Sequence, residues 1–254
     1  MIHNMDNNIY DSARLYDDIH WWKKNDMNFW SNIYKETKSR SVLELAAGTG
    51  RLAHVFLQEG AYYTGLEINQ NFVLSSQKKI LHYGERAHMV CGIMCDFDLK
   101  EKYDLICIGF NSFLHLLTDK DANRCLSCIK KHMHKKSRLI IDIYVPNPLF
   151  LYRPKNMFCH VLEYNDSLTK QHVFVEETNE YDSTTDINKL TWYFSTKLNK
   201  HFDKKHFYVR MYFPSTMNKL LIDANFNIKH QWGNYDKAKL NVDSKLQIYT
   251  VMLK

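Results

Sequence analysis

From Ser41 onward the apolar positions come in short, dense runs separated by stretches of helical period. SVLEL, YYTGLEI, AHMVCGIM, YDLICIGF and SRLIIDIY have the length and branching of buried strands. Between them, Leu52, Val55 and Phe56, then NFVLSSQKKILHYG, then DANRCLSCIKKHM, repeat their apolar residues every three or four positions, as amphipathic helices do. Strands alternating with helices of this length predict a parallel sheet covered on both faces, and right-handed crossovers make it a doubly wound α/β fold. Residues 1–40 predict a helical cap whose Phe29, Trp30, Ile33 and Tyr34 share a face, and the tryptophans of this segment are expected to pack inside.

After Pro146 and Pro148 the pattern changes. MFCHVLEYN, HVFVEETNEYD, KLTWYFSTKL and KHFYVRMYF are consecutive strand-like runs, with period-two alternation clearest at Leu190, Trp192, Phe194 and Thr196. They predict an inserted antiparallel lobe over residues 151–213 that serves as a substrate wall or a dimer contact. Pro214 and Ser215 open a helix, and NIKHQWG with LQIYTVMLK supplies the last strands of the main sheet over residues 214–254, completing a core that begins at 41–150.

Composition narrows the class. A chain that is 45% hydrophobic and 24% charged suits a soluble globular protein, and the net charge of +6 is spread, with short clusters at Lys130–Lys136 and Lys200–Lys205 that suit a solvated face better than a nucleic-acid stripe. MIHNMDNNIYD lacks a secretory apolar region and no run of eighteen apolar residues occurs, so a cytoplasmic protein without membrane contact is expected. Six scattered cysteines are too few for a disulfide scaffold. Cys125, Cys128, His132 and His134 have loosely zinc-like spacing, but the two cysteines can share one helical face and no second CxxC pair exists, so no metal is expected.

The candidate chemistry starts at Ser41–Ala53, SVLELAAGTGRLA, where a strand breaks into a glycine-rich turn and a helix follows. Such a unit brings backbone N–H groups and a helix N-terminus to the carboxyl end of a strand, where open α/β sheets bind ligands. Gly48-x-Gly50-x-x-Ala53 satisfies a dinucleotide fingerprint with Glu67 at nearly the expected distance, while Glu44 before the turn is unusual for that class. A P-loop is excluded, since no Gly-Lys-Ser/Thr follows.

ELAAGTG, GLEIN, CDFDL and DLICIGFNSFLHL, in that order over about residues 41–145, resemble the class I S-adenosylmethionine-dependent methyltransferases. The resemblance implies a Rossmann-like, mostly parallel seven-stranded sheet, with S-adenosylmethionine as cofactor and S-adenosylhomocysteine as product. It implies that backbone around Ala46, Gly48 and Gly50 contacts the methionine part and that Glu67, with Ile68 beside it, binds the ribose. Asp96 with Phe97 would read the adenine, Asp98 being the alternative acid, and Phe110 would contribute backbone from the fourth strand end.

The run YDDIH near the N-terminus, the fourth motif ending in His-Leu, and a strand insertion before a Phe-Pro-Ser helix start are similar to the N-methyltransferases acting on amino sugars of antibiotics. That similarity implies His115 as catalytic base and an N-terminal tyrosine facing the cofactor, Tyr10 or Tyr16. Imidazole titrates where such a base is useful, whereas packing between Leu114 and Leu116 is the structural alternative.

The acceptor expected is an amine of a small molecule or short peptide natural product. O-methylation of a small phenol or acid is the enzymatic alternative, and a non-catalytic cofactor-binding module the other. An NAD enzyme remains open through the glycine turn. An RNA methyltransferase ranks lower, because no Asn-Pro-Pro-Tyr or Asp-Pro-Pro-Tyr run is present and nucleic acid is not an expected partner. Trp21, Trp22, Trp192 and Tyr193 could line an acceptor pocket or fill the core. Arg210 and Tyr212 are placed together in the last inserted strand. Glu163, Glu176 and Glu180 could hold a cationic acceptor or cover a solvated sheet face. A monomer or homodimer is expected.

Overall fold

In the computed structural model, which describes residues 8–254, the alternation of strand and helix becomes one sheet, and the run of consecutive strands another. Along the chain lie α1 (Ala13–Ile19), α2 (Met27–Thr37), β1 (Ser41–Leu45), α3 (Arg51–Gln58), β2 (Tyr62–Glu67), α4 (Gln70–Ile80), β3 (Ala87–Cys91), β4 (Tyr103–Ile108), α5 (Asp119–Lys131) and β5 (Met133–Tyr144). They are followed by α6 (Pro148–Leu151), β6 (Cys159–Asn165), β7 (His172–Asp182), β8 (Ile187–Ser195), β9 (Asp203–Arg210), α7 (Pro214–Asp223), β10 (Phe226–Trp232) and β11 (Leu246–Leu253). Among the described residues no helix is long and apolar enough to cross a membrane.

The chain forms two units, one of Asn25–Val145 with Tyr212–Lys254, the other of the described residues up to Lys24 with Pro146–Met211. The first holds a seven-stranded sheet in the order β10-β11-β5-β4-β1-β2-β3, with β11 antiparallel to both of its neighbours and β1 to β5 mutually parallel. The chain winds outward from β1 through β2 to β3 and then returns to β4 on the other side of β1. That reversal is the switch point at which doubly wound sheets bind ligands, and the turns after β1 and β4 flank it.

The helical segment expected over residues 1–40 divides at Lys24. The reason is packing. Phe29, Trp30, Ile33 and Tyr34 on one face of α2 are buried with Leu52, Phe56 and Tyr63 in the core of the first unit. In the second unit α1 packs on β6 instead. The tryptophans separate accordingly: Trp30 is fully buried, whereas Trp21 and Trp22, expected inside, are 58% and 45% exposed.

The second unit contains a four-stranded antiparallel sheet in the order β6-β7-β8-β9. Its alternation gives one buried row, Val173, Val175, Glu177 and Asn179 on β7 beside Phe194, Trp192, Leu190 and Asn188 on β8. Tyr212, read from sequence as part of the last inserted strand beside Arg210, lies past the end of β9 and belongs to the first unit, where it is buried.

Candidate active site

β1 is buried from Val42 to Leu45 and ends where Ala46 turns to φ 54°. Gly48 and Gly50 follow at φ 59° and 84°. Glycine is required at 50 on two counts, since the angle is left-handed and a Cβ there would meet the Ser76 hydroxyl of α4 at 2.2 Å. The turn is tied to the next strand by the Ala47 N–H, which donates to the Leu66 carbonyl at 3.0 Å.

Glu67 closes β2 and is buried, 6% exposed. One carboxylate oxygen accepts from the Gly48 N–H at 2.8 Å and the other from the Asn69 N–H at 2.9 Å. Burial raises its pKa, against the lowering effect of these backbone bonds. A carboxylate offers about four acceptor positions, so the two N–H bonds leave room for a pair of hydroxyl donors. Ile68, directly after it, is a half-exposed aliphatic surface at the strand end.

Glu44 sits one layer below the turn. It is fully buried, accepts from the Tyr63 hydroxyl at 2.6 Å, and is pushed up to about 8 by burial. Nearby, Asp26 stands at the N-cap position of α2 without capping it through its side chain, and its fully buried carboxylate instead takes both Arg51 Nη1 and Nη2, at 2.7 and 2.9 Å. Two parallel charge-assisted bonds fix the first residue of α3 more firmly than one could.

In the CDFDL segment, expected to read the adenine, the side chains go to separate partners. Phe97 is buried and its ring stacks on His132 at 4.5 Å. Asp96 has an exposed side chain paired with Arg124 at 3.0 Å, and Asp98, also exposed, pairs with Lys100. His132 accepts from the Leu99 N–H through Nε2 and therefore donates from Nδ1 to the Cys128 carbonyl, at 2.9 and 2.7 Å. His134 turns instead to Asp104 at 2.9 Å. The loosely zinc-like histidines are thus engaged separately, and among the described residues no group of three or more His, Cys, Asp or Glu side chains could hold a metal ion.

The turn after β4 carries the base candidate. Phe110 and Asn111 have φ of 49° and 66°, a conformation that costs non-glycine residues of order 1 to 3 kcal/mol each. The Phe110 N–H donates to Asp142 Oδ2 at 3.2 Å, so this amide is engaged within the protein, and the Phe110 ring lies beneath the Arg51 guanidinium at 5.4 Å. A 3₁₀ turn, Ser112–His115, follows. Phe113, Leu114 and Leu116 are buried, while His115 remains partly exposed. The Tyr212 hydroxyl donates to the Leu116 carbonyl at 2.5 Å, and the Gln247 amide donates to the Tyr212 carbonyl at 2.6 Å, anchoring the turn to the C-terminal strands.

Tyr10 and Tyr16 belong to the other unit. Their rings lie 5.9 Å apart, Tyr10 meets Phe207 edge-on and Tyr16 packs on His20 at 4.2 Å. In the same unit Trp192 is buried and donates to Glu177, whereas Tyr193 clusters with Phe158 and His201 on the opposite face of the sheet. Glu163, Glu176 and Glu180 are paired with His172, His201 and the lysines Lys155 and Lys189 respectively. These acids are parts of a charged sheet face.

Asp26, Arg51, Asp142 and Tyr235 were not singled out from the sequence. Asp142 left a signal there, as a lone acid inside the apolar run LIIDIY. The others have none, because their partners are distant along the chain.

The donor set fits S-adenosylmethionine: a buried acid with acceptor capacity left for a diol at the β2 end, a glycine turn that lets a ligand approach backbone, and a second turn across the switch point. A sequence family described as a methyltransferase domain matches residues 42–136, a span from β1 into β5 that contains both turns. The stretch from β1 into β5 is therefore similar to a methyltransferase domain. No curated protein matches the chain in sequence. Among solved structures, the methyltransferase fold is shared with the CcbJ methyltransferase of Streptomyces caelestis, at 16% identity and a TM-score of 0.81 over 97% of this chain and 96% of that one. It is shared also with the sugar N-methyltransferase KedS8 of a Streptoalloteichus species, at 16% identity and 0.74 over 100% and 96%. An S-adenosylmethionine-dependent methyltransferase of Clostridium acetobutylicum superposes at 19% identity and 0.74 over 95% and 97%.

Proposed function

We propose that this methyltransferase N-methylates an amine of a small molecule or short peptide, in natural-product biosynthesis, with His115 as the base. The observation that carries the reading is the state of His115 within its turn. Its neighbours Phe113, Leu114 and Leu116 are taken into the core, and the imidazole is left partly open. A histidine that merely filled space between leucines would be buried with them. The fold shared with a sugar N-methyltransferase adds support for nitrogen as acceptor.

Bound S-adenosylmethionine supplies a methyl group on a sulfonium, an electrophile that needs alignment more than activation. Positioning of the two reactants can lower the barrier by on the order of 7 to 11 kcal/mol. At neutral pH an aliphatic amine is mostly protonated and has no lone pair to give. His115 takes that proton, freeing the nitrogen for attack. On the donor side Glu67 would hold the ribose hydroxyls, and the backbone of Ala46, Gly48 and Gly50 would receive the methionine part. Ile68 would lie beside the ribose, and Asp96 with Phe97 would border the adenine.

Incubation with S-adenosylmethionine and a panel of amino sugars, peptide amines, phenols and carboxylic acids, scored by the mass of one methyl, tests the reading. Amine products are expected, with His115→Ala lowering kcat by ~100-fold or more while S-adenosylmethionine still binds. Methylated phenols or acids with every amine untouched would replace it with O-methylation. Binding without turnover on any acceptor would favour a non-catalytic module.

A further inference from the structure

The turn after β4 places two successive non-glycine residues, Phe110 and Asn111, in the left-handed region. A phenylalanine stays there only when its surroundings over-determine the backbone. Here the determining contacts come from one place, the end of β5. The Phe110 N–H donates to Asp142 Oδ2 at 3.2 Å, the Asn111 N–H donates to the Asp142 carbonyl at 3.0 Å, and the Asn111 side-chain oxygen accepts from the Tyr144 N–H at 2.8 Å.

Asp142 is itself 1% exposed, between Ile141 and Ile143, which are fully buried. A buried carboxylate is tolerated only with donors that orient it. Tyr235, in the segment between β10 and β11, donates its hydroxyl to the same Oδ2 at 2.9 Å. Burial and the negative charges of Asp142 and Asp26 hold the Tyr235 phenol well above its ordinary value, so it remains a donor throughout the working range of pH. The Tyr235 ring is seated against Phe29 at 5.5 Å, and the Phe110 ring is covered by Arg51, which Asp26 grips with both oxygens. The backbone that leads to His115 is therefore held from both sides.

We infer that Asp142 and Tyr235 are positioning residues for methyl transfer: Tyr235 aims the Asp142 carboxylate, and Asp142 holds the Phe110–Asn111 turn in the strained form that presents His115. The inference rests on the reading of His115 as the base. Neither residue touches the reacting atoms in this scheme; both act through the turn.

Three variants and two kinds of readout test it. Tyr235→Phe removes one hydroxyl and keeps the ring. Asp142→Asn keeps an acceptor for the Phe110 N–H, and Asp142→Leu keeps none. A hydrogen bond to a charged group is worth enough that Tyr235→Phe should lower kcat by roughly 10-fold and Asp142→Leu by roughly 100-fold, with Asp142→Asn rescuing part of that loss. The dissociation constant for S-adenosylmethionine should stay within about 2-fold for Tyr235→Phe, because the contacts of Glu67 are untouched. Amide hydrogen exchange should accelerate in residues 110–116 of the same variant, without a matching change in β1 or β2.

A Tyr235→Phe protein with unchanged kcat and unchanged exchange at 110–116 overturns the inference, whatever its melting temperature. So does a loss of cofactor affinity as large as the loss of kcat, which would make the residue a part of the general framework. Should Asp142→Leu fail to fold, the Tyr235→Phe and Asp142→Asn arms still decide. If His115→Ala leaves turnover intact, the base reading fails, while the exchange arm continues to report on the clamp separately.

Discussion

The two sheets bury polar side chains to different ends. In the seven-stranded sheet Glu44, Glu67 and Asp142 lie at or near the carboxyl ends of β1, β2 and β5; Glu67 and Asp142 hold turn amides, and Glu44 takes the Tyr63 hydroxyl below the glycine turn. In the four-stranded sheet Glu177, Asn179 and Asn188 are engaged with Arg153, Trp192 and one another: Glu177 takes Arg153 at 2.8 Å and the Trp192 N–H at 2.8 Å, while the Asn179 amide reaches the Leu151 carbonyl and Asn188. The first arrangement leaves acceptor capacity where a ligand can use it. The second is directed inward, its bonds made within the lobe, with Asn188 Nδ2 the one group of the seam left buried without a hydrogen-bond partner.

This difference can be broken experimentally, and the largest effect is expected in the seam. Arg153→Met leaves the Glu177 carboxylate buried with one partner fewer, at a cost of about 3 to 5 kcal/mol. Chemical denaturation should register that loss while calorimetry finds S-adenosylmethionine affinity unchanged. A drop in affinity of comparable size would show that the seam is not self-contained.

Glu67→Ala comes next, with the opposite signature. Charge-assisted hydrogen bonds are worth about 1.5 to 3 kcal/mol each, so the loss of the diol contacts should weaken S-adenosylmethionine binding by roughly 100-fold. Isothermal titration measures this directly. Binding that survives within a few-fold would remove Glu67 from the ribose site and leave it only its bonds to Gly48 and Asn69.

The most gradual effect, small over any one pH unit, concerns Glu44. Because burial raises Glu44 to about 8, the folded protein keeps a proton that the unfolded chain, with its ordinary carboxylate, releases near 4.5. Between those values the native state binds more protons, so the stabilising contribution falls as pH rises, by at most about 1.4 kcal/mol per unit, and is gone above the folded value. Glu44→Gln carries no titrating group and should flatten this part of the stability profile. Parallel slopes for both proteins from weakly acidic to weakly alkaline buffer would mean that Glu44 is already ionised below the turn.

The core sheet was legible because its information is local. Strand runs, helical period and the glycine turn each sit within a dozen residues, and the order of ELAAGTG, GLEIN, CDFDL and the fourth motif follows the order of strands. The inserted strands were legible as strands through their alternation, but the seam was not: Arg153 and Glu177 meet across 24 residues, and nothing in either neighbourhood announces the other. Phe97 shows the same limit. Its motif suggested an adenine contact, and nothing local announced that its ring packs on His132, 35 positions away.

The sequence by itself determined the class of fold, the position of the glycine turn and the acid at the end of β2, since hydrophobic period and backbone permissiveness are properties of contiguous residues. Only the tertiary structure decided that α2 joins the core while α1 packs on β6, that Tyr212 leaves the lobe to anchor Leu116, and that Asp142 and Tyr235 hold the strained turn before His115. Each of these depends on a buried group finding its partner across tens of residues. That pairing is fixed by desolvation and geometry in the folded core, which no local pattern encodes.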